Sequence, residues 1–100
     1  MQVSTKLNRS HLVNGAVAYI LPCLGRIEID RQASGPQAVS IESSTAQFHG
    51  SRGVADPVGP HVRAEPWIVA GIAKATLPPN PRIDWDAWVA DYARVRDAIE

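Results

Sequence analysis

Apolar residues follow three patterns along this chain, and each predicts a different element. Ala16 to Leu21 is a continuous apolar run. Such a run suits a strand covered on both faces, as in a parallel sheet flanked by helices. Pro22 ends it by removing a ladder donor. Upstream, Gln2 to Thr5 has strand-type residues. Asn8 fits the N-cap of a short helix through Arg9 to Val13, and Asn14-Gly15 is its stop signal. Downstream, Arg26 to Gln37 contains Gly35-Pro36 and no helical period, which predicts a loop. Gln37 to Glu42 then alternates, with Val39 and Ile41 on one face, as a half-buried strand does. Ser43-Ser44 predicts a turn, Thr45 to His49 a returning strand, and Gly50 to Gly53 a break. Val54 to Arg63 carries Pro57, Gly59 and Pro60 and predicts an extended linker.

The third pattern is helical. Pro66 fits the first helical position, where a missing N–H is not needed. Trp67 to Thr76 is then almost wholly apolar, which predicts a helix buried on most sides. Leu77 to Pro81 stops it. Asp84 is an N-cap for a last helix on which Trp85, Trp88, Val89, Tyr92, Val95 and Ile99 share one face. Asp91 and Arg94 are placed to pair across one turn. The resulting class is α/β: short parallel-type strands, a β-hairpin and two C-terminal helices. It divides into 1–54 as the end of an α/β domain, 55–63 as linker and 64–100 as a helical pair.

Charge and cysteine usage narrow the partners. Ten Lys+Arg balance ten Asp+Glu in 100 residues. Zero net charge argues against nucleic acid or an anionic membrane as the main partner. No apolar run is long enough to cross a bilayer, and no secretory leader pattern opens the chain. Cys23 is the only cysteine, so no internal disulfide or CxxC motif exists, which points weakly to a cytoplasmic setting. A chain of this size buries only roughly two-thirds of its unfolded surface, so partners matter for its stability.

Several side chains are candidates for chemistry. A Cys23 thiolate could bind a soft metal, but a lone cysteine closing an apolar strand reads as a small buried hydrophobe. His11, His49 and His61 show no metal-ligand spacing. His49 stands out among them because it opens the Gly50-Ser51-Arg52-Gly53 turn. There glycines permit close backbone approach, and Arg52 offers a planar fork for phosphate oxygens. Thr5-Lys6-Leu7-Asn8 lies between a strand and a helix start, where backbone N–H groups and Lys6 suit an anion; Asn8 also reads as a plain N-cap. Arg26 and Glu28 are spaced for a local ion pair. The three tryptophans read as core or interface.

Six stretches together resemble one family. They are Thr5-Lys6-Leu7-Asn8-Arg9-Ser10-His11-Leu12, the Leu21-Pro22-Cys23-Leu24-Gly25-Arg26-Ile27-Glu28 passage with Gly35 to Ser44, His49-Gly50-Ser51-Arg52-Gly53-Val54, Glu65 to Ala73, and Trp85 to Glu100. In that order they are similar to the formate-dehydrogenase-alpha-like branch of molybdopterin-dependent oxidoreductases. The resemblance implies a C-terminal-half fragment of a large catalytic subunit that carries two pterin-guanine-dinucleotide groups on one molybdenum. It implies two-electron oxidoreduction, with formate as the name-giving substrate. It places the molybdenum ligand, any iron–sulfur cysteines and most glycine-rich cofactor loops upstream, so this chain supplies no catalytic or metal-ligating residue and does not hold molybdopterin guanine dinucleotide alone. It assigns cofactor contact to Thr5, Lys6, Asn8, His49, Ser51 and Arg52, and makes the rest of the catalytic subunit the partner. The rival expectation is an independent small non-catalytic protein or truncated gene product. Its apolar helix and its Trp-faced helix would then drive self-association.

Overall fold

A computed structural model describes residues 1–99. Its element order is β1 (Gln2–Ser4), a 3-10 helix (Arg9–Leu12), β2 (Ile20–Pro22), β3 (Arg31–Gln32), β4 (Gly35–Pro36), β5 (Val39–Glu42), β6 (Phe48–Ser51), α1 (Glu65–Thr76), α2 (Trp85–Ala90) and α3 (Ala93–Asp97). The content is mixed α/β, as the patterning predicts, with the strands distributed over three two-stranded sheets.

β1 and β2 run parallel, with Val3 opposite Leu21. The expectation of a strand over Ala16 to Leu21 buried on both faces is corrected here. The ladder covers only Ile20–Pro22, and Val17 and Tyr19 are 70% and 66% exposed. No layer among the described residues lies over them. Pro22 is the last residue of the strand, as expected, but it removes no donor from the ladder. Cys23 N–H, not a group of Pro22, bonds back to the Ser4 carbonyl at 3.0 Å, so the proline nitrogen faces the outer edge, where no donor is missed.

The stretch Arg26 to Gln37, expected as plain loop, contains the two-residue antiparallel ladder of β3 and β4. Gly35 closes its turn at φ 110°, a conformation open to glycine and costly for other residues. β5 and β6 form the expected hairpin in full register, Val39 opposite Ser51 and Glu42 opposite Phe48. Its turn spans Ser43 to Gln47, longer than predicted, and is closed by the Ser43 N–H on the Gln47 carbonyl at 2.9 Å. Gly50 and Ser51 belong to β6, so the break begins at Arg52. Gly50 does not break the strand because its ladder partner, Ser40, is itself extended.

The segment after β6 is extended, and hydrogen bonds hold it against residues 22–29. Val54 N–H and Ala55 N–H both reach the Ile27 carbonyl at 2.8 Å, and Ile29 N–H reaches the Ala55 carbonyl at 2.8 Å. Farther on, Arg63 bridges Cys23 in parallel. Gly53 makes this approach possible. A Cβ there would stand 2.0 Å from the Glu28 carbonyl oxygen and 2.6 Å from the Ile29 nitrogen. Glu28 makes no pair with Arg26. Its carboxylate instead accepts the Gly25 N–H and the Val58 N–H, each at 2.6 Å, and so ties turn to extended segment.

α1 buries one side only: Ile68, Ala70 and Ala73 face inward, while Trp67 and Val69 are about half exposed. Burial on most sides, expected from its composition, needs neighbours on more than one face. The last helix is also corrected, because it is two helices. Asp91 is extended (φ −150°, ψ 110°) between α2 and α3. There Tyr92 turns inward to 5% exposure. Its N–H bonds Gln37 Oε1 at 3.0 Å, and its hydroxyl donates to the Asp30 carboxylate. Asp91 Oδ1 accepts the Ala93 N–H at 3.0 Å, and the expected Asp91–Arg94 ion pair does not form. Tertiary hydrogen bonding thus overrides the helical period at one residue. Trp85 and Trp88 pack edge to face, ring centroids 5.7 Å apart, which adds roughly 0.5–1.5 kcal/mol beyond area burial.

Burial, then the Asp30 hydrogen bond and charge, push the Tyr92 phenol far above its ordinary value. The neutral phenol is the form the fold favours. Its contribution is therefore complete below the unfolded value near pH ~10 and is lost progressively as pH rises above it. Tyr92→Phe is expected to remove that alkaline loss and to cost roughly 1–3 kcal/mol at neutral pH, by leaving an Asp30 oxygen unpartnered; urea melts at neutral and alkaline pH check both. Gly53→Ala is expected to cost roughly 1–3 kcal/mol or more, since both clashing atoms are backbone and cannot swing away. An unchanged urea midpoint for that variant would refute the close approach.

Candidate functional site

The carboxyl ends of β1 and β2 lie side by side, and in α/β sheets ligands collect outside such ends. After β1 the chain turns through Thr5 and Lys6. Ser4 Oγ donates to the Lys6 carbonyl at 2.5 Å and accepts the Lys6 N–H at 3.3 Å, a hydroxyl-closed turn that presents the Thr5 and Lys6 side chains outward. The Lys6 ammonium makes no ion pair among the described residues. Asn8 then caps the 3-10 helix. Its Oδ1 accepts the Ser10 N–H at 2.9 Å and the Ser10 hydroxyl at 2.6 Å. The reciprocal half of the capping box is unusual. Asn8 N–H donates to His11 Nδ1 at 3.0 Å. His11 is the one buried polar residue among the described residues. Its role here is structural, and Asn8 keeps only its amide NH₂ for an external acceptor.

Cys23, at the end of β2, sits among carboxylates. Burial foremost, then the charges of Glu65, Asp30 and Glu28, raise its thiol, which disfavours the thiolate that a metal would need. No group of three or more His, Cys, Asp or Glu side chains able to hold a metal occurs among the described residues. An anion at this edge is therefore drawn to the Lys6 side and repelled from the Cys23 side.

The second predicted cluster lies on β6 and just beyond it. His49, exposed, is opposite Ile41; Ser51, half buried, is opposite Val39; Arg52 is exposed and makes no ion pair among the described residues. His49 lines an open groove of about 330 Å³ with Phe48, Ala38, Val39 and Arg96. No hydrogen bond or ion pair among the described residues joins this cluster to Thr5, Lys6 and Asn8. A larger groove of about 380 Å³, lined by Asp30, Arg31, Gln32, Arg63 and Trp67 among others, escaped the sequence reading. In it Arg31 pairs with Asp56 at 2.8 Å, and the Arg63 guanidinium lies 5.5 Å over the Trp67 ring. Arg31 and Asp56 are 25 positions apart in sequence, so no local pattern announces their pairing; Arg63 and Trp67 are close in sequence but fall across the boundary between the expected linker and the helix start.

Comparison with known proteins places this geometry in a larger setting. The chain is 51% identical over 100 residues to Protein YdeP of Shigella flexneri, a match that covers 100% of this chain and 13% of that protein. It is 46% identical over 99 residues to proteins of Mycobacterium tuberculosis and Mycobacterium bovis, each called an uncharacterized oxidoreductase, again covering 13% of their length. The chain thus spans about 13% of the length of the curated relatives it matches. No family profile matches it, and no solved structure matches it. No helix among the described residues is long and apolar enough to cross a membrane.

Two local outcomes follow. Asn8→Ala is expected to cost ~1 kcal/mol and to speed amide exchange at Ser10 and His11. Alkylation of Cys23 by iodoacetamide is expected to be slower in the folded chain than in urea, with its pH midpoint moved upward. Equal rates in both states would refute the carboxylate surroundings described for the thiol.

Proposed function

We propose that this chain is a segment of the catalytic subunit of a formate-dehydrogenase-like oxidoreductase that uses molybdenum bound by two pterin-guanine-dinucleotides. The observation that carries the reading is the end-to-end match of all 100 residues to a 13% portion of longer proteins, relatives of similar coverage being named oxidoreductases. The ordered motifs from Thr5 to Glu100 support it further. The residues present fit the polar ends of a dinucleotide and not the metal. Lys6 and Arg52 are exposed cations without acidic partners among the described residues, whereas no metal-ligand cluster is formed there. When bound, the group supplies a two-electron couple at molybdenum.

The chain's own residues bind and orient. Lys6 neutralises a phosphate as a point charge, with the Thr5 hydroxyl and the Asn8 amide NH₂ as neighbouring donors. Arg52 offers a bidentate fork to phosphate or pterin oxygens, and His49 and Ser51 supply further polar contacts beside it. Catalytic residues and the metal ligand belong to the remainder of the subunit. The lone cysteine fits a cytoplasmic setting.

The test is the metal and pterin content of the purified full-length protein. Roughly one molybdenum or tungsten and two pterins per chain are expected. Lys6→Ala and Arg52→Ala in that protein are expected to lower pterin retention several-fold while leaving the melting temperature in place. A folded full-length protein free of both metals and of pterin would overturn the proposal.

A second reading is favoured by one observation: α1 leaves Trp67, Val69 and Leu77 46%, 51% and 57% exposed. As an independent non-catalytic protein, the chain would cover that face by self-association. Light scattering of the purified chain then shows an oligomer that Val69→Lys dissociates.

A further inference from the structure

The stretch from Leu12 to Leu21 is uncovered although it contains no charged residue. Leu12, Val13, Val17 and Tyr19 are 81%, 84%, 70% and 66% exposed. Val3 is opposite Leu21 in the ladder, hence on the same face, and it too is exposed. A two-stranded ladder is marginal in water alone, and parallel pairing is found almost only where both faces are covered. The outer edge of β2 is also only partly used. Arg63 N–H bonds the Pro22 carbonyl at 3.2 Å and Leu24 N–H bonds the Arg63 carbonyl at 2.9 Å, so that pairing begins at Pro22 and leaves the earlier residues of the run without it.

We propose that Leu12–Leu21 is the seam at which this segment packs into the remaining polypeptide of one longer protein, whose apolar side chains cover the face formed by Val3, Tyr19 and Leu21. The inference rests on the part of the preceding reading that makes the chain a segment; it does not depend on molybdenum. Two observations select this occupant. The relatives carry the matched segment inside chains of which it is only 13%, so each has ample polypeptide to supply the cover. And the absence of any charge over ten consecutive residues suits a permanent interior, like a core cut in half, better than a surface that parts and re-forms in water.

Hydrogen exchange of residues 12–21 tests it. The isolated chain is measured over a range of concentrations, with its mass followed by light scattering. The aligned segment is measured in the full-length Shigella flexneri relative. Exchange about 100-fold slower or more in the full-length protein than in the isolated chain is the expected result. Equally fast exchange in both would overturn the proposal. So would protection in the isolated monomer, or protection that appears only as the isolated chain dimerises, since a second copy would then be the cover. Metal and pterin are assayed on the same full-length sample. A protected segment in a protein that contains neither would sink the cofactor reading and leave the seam standing.

Discussion

The hydroxyl of Tyr92 on the carboxylate of Asp30 is the contact on which the arrangement of this chain depends. It joins residues 62 positions apart, and around it gather the Tyr92 N–H on Gln37 Oε1 and the Ser34 N–H on the Ala90 carbonyl. Together they hold the β3–β4 turn against the C-terminal helices. Asp30 accepts from Gln32 Nε2 as well, so its carboxylate is satisfied and the phenol is kept neutral. A helix that would otherwise run on from Trp85 is broken at Asp91 to deliver this tyrosine. The local loss of helical hydrogen bonding is offset by bonds made in a half-buried setting, where each is worth more than in water.

Polar ties of this kind carry much of the organisation because apolar burial is thin. Among the described residues, only Ala64, Ile68, Ala70, Ala73 and Tyr92 form the buried hydrophobic core, and three of the five are alanines. The Glu28 carboxylate does similar work on the other side, bridging the Gly25 turn to Val58, and Gly53 lets two backbones meet where a methyl group would not fit. A chain held by carboxylate clamps and small residues, with large apolar side chains facing outward, has the character of an interior segment. That character and the coverage of the relatives point the same way, from different observations.

The functional reading follows the same division. One predicted cluster, Thr5 to Asn8, lies at the carboxyl end of the parallel pair, where an α/β sheet offers ligands its loop ends. The other, His49 to Arg52, follows the hairpin. Each presents an unpaired cation among the described residues, and the ties between them that a finished cavity would show are not made within this chain. Cys23, beside the first cluster, is half-buried and set among carboxylates that disfavour its thiolate.

Features that depend on a few neighbouring residues were legible in the sequence. Asn8 as a cap, the strand-to-loop passage at Ser4, the hairpin between Val39 and Ser51, the start of α1 near Pro66 and the Asp84 cap all rest on propensities and short-range hydrogen bonds. The misjudged features depend on who the neighbours are. Ala16 to Tyr19 reads as a buried strand because it is wholly apolar, yet no layer among the described residues lies over it. Trp67 to Thr76 reads as buried all round for the same reason. The break at Asp91 was invisible because the helical period continues through it; the partners that stop it, Gln37 and Asp30, lie more than fifty residues away. Short-range chemistry thus wrote the caps, turns and strand ends into the chain, while the pairings of Tyr92, Glu28, Gly53 and Arg63 emerged only from the folded backbone, because contact between distant residues leaves no periodic trace in sequence.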